Sequence, residues 1–307
     1  MYKVALWGAG DGYNVFVANH GLEMVEVVAI ADKLAGLYKS IDNIPVVAPN
    51  ELISGNIKYD YLIVTVVNEN TYKEIVNIAV AMGIRREIIL PARIFHIPFF
   101  NFEDYIKIKN SNISILSDTC FAGFVYHRFG MKFLTPTINM FTDNENYYTF
   151  LSNLKENMTY PMVKQENTLE DLYLGIYSFP QGRVGNSKWN FNHDIEFETA
   201  AARWERGRQR FNWDNYMATM TIRSDEMAYK FDALPIENKI GFYWKELGLK
   251  SVVCIPEWNN SSIRAKFEYN FTTFVNQIAN EILGVKSINW MKALLHESDY
   301  KRIEGYN

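Results

Sequence analysis

"KVALWGAGDGY" (Lys3–Tyr13) reads as an apolar strand running into a glycine-rich turn. A helical stretch follows, and "MVEVVAIAD" (Met24–Asp32) is a second strand that ends on a carboxylate. Working outward, the chain continues through "IPVVAP", a helix start at Asn50, "YDYLIVTVV", the helix "NENTYKEIVNIAVAMGI" and "EIILPARIF". Continuous apolar strands separated by helices predict an α/β unit with a mostly parallel sheet covered on both faces.

The glycine turn has a physical use. Glycines let backbone N–H groups come close to a phosphate, and the following helix adds the partial positive charge of its N-terminus. Gly8, Gly10 and Gly12 are the candidate cofactor-binding residues. Asp32, ending the second strand, is placed to bind ribose hydroxyls. The bland alternative is a tight turn with no ligand. The third glycine of the full dinucleotide fingerprint would stand at position 13, where this chain has Tyr13, and Gly12 comes one residue early. Through "WGAG", "VVAIAD", "IPVVAP" and "YDYLIVTV", residues 1 to about 95 resemble the Rossmann-like domains of bacterial surface-polysaccharide enzymes. The resemblance implies a nucleotide, a nucleotide sugar or NAD as the ligand of this part.

Composition narrows the class. Hydrophobic residues make up 48% and aromatics 15%, which suits a globular chain and argues against disorder. Thirty-one basic and 35 acidic residues nearly cancel, so no bulk charge points to nucleic acid or to an anionic membrane. The two cysteines, Cys120 and Cys254, each lie in an apolar run with no cysteine nearby. That fits a reducing compartment and not a disulfide framework or a cysteine zinc site. "MYKVALWGAG" reads as strand and not as a signal peptide, and no apolar run approaches the roughly 20 residues of a membrane helix. The expectation is a soluble, cytoplasmic protein with no membrane insertion. No sequence spacing suggests a metal site.

"PARIFHIPFFNFEDYIKIKN" (Pro91–Asn110) is rich in aromatics and is not a flexible linker. Phe95, Phe99, Phe100 and Phe102 are expected to pack two domains together, with His96 structural. The domains predicted are 1–105, Rossmann-like, and 106–307, a second and different α/β domain. In the latter the expected strands are Ile113–Ser117, Leu172–Phe179, Trp189–His193, Tyr216–Ile222 and Ser251–Ile255. The expected helices are Cys120–Phe129, Glu145–Asn157, Phe197–Phe211, Asp225–Ala233, Ile263–Leu283 and Ile288–His296. Ser224 before "DEM" has the form of an N-cap. "ISILSDTCFAGFVYHRFGMKFLTPTINMF", "YPMV", "FPQGRVGN", "FNHD" and "AAARWERGRQRFNWDNYM" resemble an uncharacterised bacterial family commonly labelled exopolysaccharide-biosynthesis proteins, over residues about 113–295. That label implies a role in surface glycans and supplies no catalytic residues. A weaker likeness, to polysaccharide acyltransferases with Asn-Cys between strand and helix, meets Thr119-Cys120 here.

Cys120 opens a helix, where the dipole and free N–H groups favour a thiolate. Ala122 and Gly123 are small enough to let backbone approach a substrate. Against this, Asp118 disfavours the thiolate, and buried cysteine is commonly inert. His127 shares the helix face but lies about 10.5 Å along it, out of reach of Cys120. The base for Cys120 would then be His193, which with Asp194 precedes a helix near the strand ends. Asp194 has a second reading as a helix cap. Arg203, Arg206 and Arg210 recur on one helix face. With Arg208, and with Arg183 in a "FPQGRVGN" that reads as a functional loop or a plain turn, they would grip a diphosphate or an acidic sugar, or else pair with glutamates in solvent. Trp204, Phe211 and Trp213 read as core before sugar platform. The expected catalytic residues are Cys120 and His193, and the expected substrate-binding residues are His127, Arg183, Arg203, Arg206 and Arg210.

The function expected is a transferase of surface-polysaccharide biosynthesis, a glycosyl- or acyltransferase using a nucleotide-linked sugar or an acyl donor on a small-molecule or glycan substrate. The rival is a non-catalytic nucleotide- or nucleotide-sugar-binding module that regulates polysaccharide assembly through a protein partner.

Overall fold

The computed structural model describes residues 1–166, 179–259, 282–285 and 287–301. Its backbone divides into two compact units, Met1–Ile106 and Lys107–Asn307. The expected strand Leu172–Phe179 and helix Ile263–Leu283 fall almost wholly outside the described residues.

The first unit runs β1 (Lys3–Trp7), α1 (Asp11–Ala18), α2 (Gly21–Met24), β2 (Glu26–Ala31), β3 (Ser40–Ile41), β4 (Ile44–Val47), β5 (Tyr61–Val64), α3 (Glu69–Ala81) and β6 (Ile89–Pro91). The sheet order is β3-β4-β2-β1-β5-β6. Every neighbouring pair is parallel except β3 with β4. The strand order reverses between β1 and β5, which makes the carboxyl ends of those strands a ligand-binding crevice. Val4, Ala5 and Leu6 are fully buried, as expected of a central strand covered on both sides. α3 starts where Asn68 caps it, its side chain accepting from the Asn70 and Thr71 N–H groups.

Close packing of helix on strand is supplied by Gly12, not by a glycine at position 13. A Cβ at Gly12 would stand 2.0 Å from the Thr65 carbonyl oxygen, so α1 presses its backbone against the end of β5. Tyr13 is buried and sends its hydroxyl to Asp42, 2.6 Å away. The aromatic segment completes the first unit's own core. Phe95 packs on Phe16 at 4.8 Å, and Phe102 meets Tyr2 and Tyr61 at 5.6 and 5.9 Å. Phe102 opens α4 (Phe102–Asn110).

The second unit contains β7 (Ser114–Ser117), α5 (Phe121–Phe129), α6 (Asn144–Ser152), α7 (Leu154–Asn157), β8 (Val163–Gln165), β9 (Gln181–Val184), β10 (Ser187–Asn190), α8 (Phe197–Gln209), β11 (Tyr216–Thr221), α9 (Asp225–Asp232), β12 (Lys239–Tyr243), β13 (Val252–Cys254) and α10 (Trp290–Leu294). β13-β12-β11-β7 form an all-parallel sheet, and β10-β9-β8 an antiparallel one. Ser224 caps α9 by accepting from the Met227 N–H.

Three expectations are corrected here. "FPQGRVGN" is neither loop nor plain turn: Gln181–Val184 is a strand paired with β10 through a two-residue turn that opens on Gly185 at φ 56. The strand expected to run to His193 ends at Asn190. The helix expected over Glu145–Asn157 is broken at Asn153, where φ is −126. Trp189, Trp204, Tyr147 and Phe150 are buried together in the core, with the two indoles 5.9 Å apart.

Candidate functional site

β7 ends at the carboxyl edge of the parallel sheet, and the next residues build the turn into α5. Thr119 accepts from the Phe121 N–H through its hydroxyl, and the Thr119 N–H reaches Ser117 Oγ. These short side-chain bonds hold Cys120 at the N-cap of α5. The N–H groups of Ala122 and Gly123, in the first turn, have no intrahelical acceptor.

The partner comes from the end of the antiparallel hairpin. Beyond β10 the chain makes a tight turn, Phe191–Asp194, closed by the Asp194 N–H on the Phe191 carbonyl at 3.1 Å. Its two central residues are Asn192 and His193, and both address the thiol. His193 Nε2 lies 3.5 Å from Cys120 Sγ, and the Asn192 side chain favours the thiolate form of the sulfur. Cys120 is buried and His193 is exposed, so the pair sits where a buried sulfur meets solvent.

The turn is fastened at both ends. The Phe191 N–H donates to the Pro180 carbonyl. Asp194 takes both terminal nitrogens of Arg203 on α8, one at 2.6 Å. It therefore grips its own following helix by a bidentate ion pair and does not cap it. The Asp194 carboxylate is 4% exposed, and removing one member of a pair this buried costs about 3–5 kcal/mol. Arg203 also donates to the Asn139 carbonyl at 3.4 Å. Asn139 holds a left-handed backbone, φ 57, and its side chain borders Gly123. A non-glycine residue held in that conformation is a common mark of functional loops.

Burial pushes the Cys120 thiol up to about 11, with Asn192 and the Arg203 charge working in the opposite direction and Asp118 adding to the rise. At neutral pH the sulfur therefore carries its proton, and an imidazole at 3.5 Å is placed to take it as an electrophile arrives. Asp118 is fully buried behind the turn and accepts from the Thr221 N–H at the end of β11. Burial raises its carboxyl to about 7, partly offset by that bond and by Arg223.

The other expected site residues are dispersed. His127 is exposed in the last turn of α5. Arg183 projects from β9 and binds Gln165 on β8 at 3.1 Å. Arg206 is exposed, and Arg210, past the end of α8, donates to the Arg206 carbonyl. Arg203 is committed to Asp194. These arginines do not converge on one anion. Asn192 and Asn139 were missed by sequence reading, although the polar run "FNHD" after a strand carries a turn signal. Among the described residues, no group of three or more His, Cys, Asp or Glu is placed to hold a metal ion. No described helix is long and apolar enough to cross a membrane.

In the first unit the expected ligand residues do meet. Gly8 has φ 118, which suits glycine, and Thr65 Oγ1 donates to its carbonyl at 2.6 Å. Asp32 accepts from the Ala9 and Leu34 N–H groups, each at 2.8 Å, which ties the carboxylate to the glycine turn. Gly10 caps α1, and Asp11 in its first turn puts a negative charge where a phosphate would otherwise be favoured. Leu34, Tyr38 and Val67, in the loops after β2 and β5, are exposed.

Comparison with known proteins covers both units. A family profile described as "C2185-like, N-terminal" matches residues 1–90. An uncharacterized protein of Haemophilus influenzae (strain ATCC 51907 / DSM 11121 / KW20 / Rd) is 24% identical over 142 residues, 45% of this chain and 65% of that relative. The chain thus spans just under two thirds of the relative's length. A second profile matches residues 92–292, the greater part of the chain and all of the cysteine–histidine site, and by that match the protein belongs to the family described as "Domain of unknown function (DUF1919)".

Proposed function

We propose that this chain is a cysteine-dependent acyltransferase acting in the cytoplasm on a precursor of a surface polysaccharide. The observation that carries the proposal is the 3.5 Å approach of His193 Nε2 to Cys120 Sγ at the N-terminus of α5. In this reading His193 takes the thiol proton as sulfur attacks the acyl carbonyl carbon of the donor. The new carbon–sulfur bond replaces the bond to the donor's leaving group, which departs with the proton from His193. A hydroxyl of the acceptor then attacks the thioester, His193 takes its proton, and sulfur leaves as the thiol. Ala122 and Gly123 N–H groups would stabilise the oxygen that becomes negative in each step. Arg203 acts indirectly, through Asp194 and the turn that carries His193. The link to surface polysaccharide rests on the resemblances carried by "WGAG", "VVAIAD" and "ISILSDTCFAGFVYHR".

The glycosyl-transfer form has less support, because it asks for arginines gathered on a diphosphate and Arg203 is already paired. A second reading rests on the first unit, where Asp32 and Gly8 flank one turn: a nucleotide- or nucleotide-sugar-binding module with no reaction of its own. Intact mass measurement after incubation with acyl-CoA and with p-nitrophenyl acetate separates the two. An acyl adduct on Cys120, lost in Cys120→Ala and strongly slowed in His193→Ala, supports transfer. No adduct from either donor, together with nucleotide-induced thermal stabilisation lost in Asp32→Ala, supports the binding module.

A further inference from the structure

α8 carries two different features on different sides. Arg203 faces the Asp194 turn, whereas Arg208, five residues on, lies about 140° around the helix. There the second unit has a cavity of about 400 Å³ lined by Trp213, Arg208, Glu205, Gln209, Lys155 and Thr159, among others. This feature is independent of the cysteine–histidine reading.

Ring contacts and hydrogen bonds hold much of its lining. Trp213 is 40% exposed, unlike the buried Trp189, Trp204, Trp258 and Trp290. Phe211 and Tyr216 meet it edge to face at 4.8 and 6.0 Å. The preceding Asn212 is fastened through its N–H to Ser114 Oγ and through its amide to the Asn112 carbonyl. Across the cavity, Arg208 donates to the Met158 and Thr159 carbonyls and makes a two-pronged contact with Glu205. Gln209 donates to the same carboxylate at 2.8 Å, and these bonds hold Glu205 below the usual carboxylate range. A fixed indole and a planar array of carboxylate, guanidinium and amide therefore share one concavity.

That set of groups suits a sugar ring. The apolar C–H face of a pyranose covers an indole, and its hydroxyls donate to and accept from planar polar side chains. Charge refines the class. Arg208 and Glu205 neutralise each other, while Lys155 makes no ion pair with a described residue and leaves the cavity with an excess positive charge. We infer that this cavity is a binding subsite for an acidic saccharide, a ring carrying a carboxylate, with Trp213 as the stacking surface and Lys155 as the counter-ion.

The test is calorimetric titration of the full chain with trigalacturonate, a hyaluronan tetrasaccharide and 3′-sialyllactose, with maltotriose, UMP and inorganic phosphate beside them. At least one acidic saccharide is expected to bind more tightly than maltotriose. Trp213→Ala is expected to weaken it about tenfold, Trp213→Phe to keep affinity within about threefold, and Lys155→Gln to abolish the acidic preference. Unchanged thermal melting shows that each variant is folded. Cys120→Ala is expected to bind as the unmodified protein does, which keeps this result separate from the acyl-transfer reading. The inference is overturned if none of the acidic saccharides binds, if Trp213→Ala binds as well as the unmodified protein, or if UMP or phosphate occupies the cavity and the saccharides do not.

Discussion

Cys120 and Asp118 are two residues apart, and burial moves both in the direction of the proton-bound form. For Cys120, raised to about 11, alkylation by iodoacetamide at pH 7.5 is expected to be slower than that of a free thiol. The rate should climb through pH 10, read by mass spectrometry in a Cys254→Ser background. A rate already level by pH 8 would mean a thiolate stabilised beyond what the surroundings here supply. Asp118, raised to about 7, has a worked sign. The folded state binds its proton more tightly than the unfolded state does, so its contribution is full below about pH 4 and is lost as pH rises through about 7. Urea denaturation of the unmodified protein and of Asp118→Asn is therefore expected to show a stability difference that shifts against the unmodified protein by about 4 kcal/mol between pH 4 and 8. A difference that does not change with pH would show that the carboxyl stays ionised through that range.

The elements are held by a few close approaches, and α1 on β5 is the clearest. Gly12 has no room for a methyl group, since its Cβ would stand 2.0 Å from the Thr65 carbonyl oxygen, while Gly10 has open space within 4 Å. Gly12→Ala is expected to cost at least about 3 kcal/mol, the range of an overpacked backbone contact. Gly10→Ala should stay within about 1 kcal/mol. Chemical denaturation of the two variants checks the contrast, and equal losses would mean that the turn, not the helix–strand contact, sets the cost. The β9–β10 hairpin matters for another reason. It is bound to the loop at Phe141 by reciprocal backbone bonds with Asn190 at 2.9 and 3.0 Å, and that anchor fixes where the Asn192–His193 turn can point.

On the scale of the molecule, no described sheet is shared by the two compact units, and each has its own buried aromatic cluster. A fragment of residues 1–112, which includes all of α4, is expected to unfold alone in one cooperative transition, because the Phe16, Phe95 and Phe102 rings are all within it. A broad, non-cooperative melt followed by circular dichroism would show that this core depends on the rest of the chain.

Local pattern determined the first unit's sheet. "KVALW", "VVAIA" and "YLIV" are continuous apolar runs, and such runs demand a parallel sheet with both faces covered. The same logic found β7, β11, α5, α8 and the Ser224 cap. It also put Cys120 at a strand-to-helix turn and pointed to His193 as its neighbour. It failed at "QGRV", whose pairing depends on a partner strand and a glycine turn rather than on apolar content. It failed again at the arginines, where three- and four-residue spacing shows a shared helix face but not what lies opposite. Tertiary structure decided that Arg203 meets Asp194, that Asn192 and His193 turn onto the thiol, and that Trp213 stays exposed while Trp204 is buried. Those outcomes come from contacts between segments far apart in sequence, and side-chain periodicity within one segment carries no information about which distant group it will face.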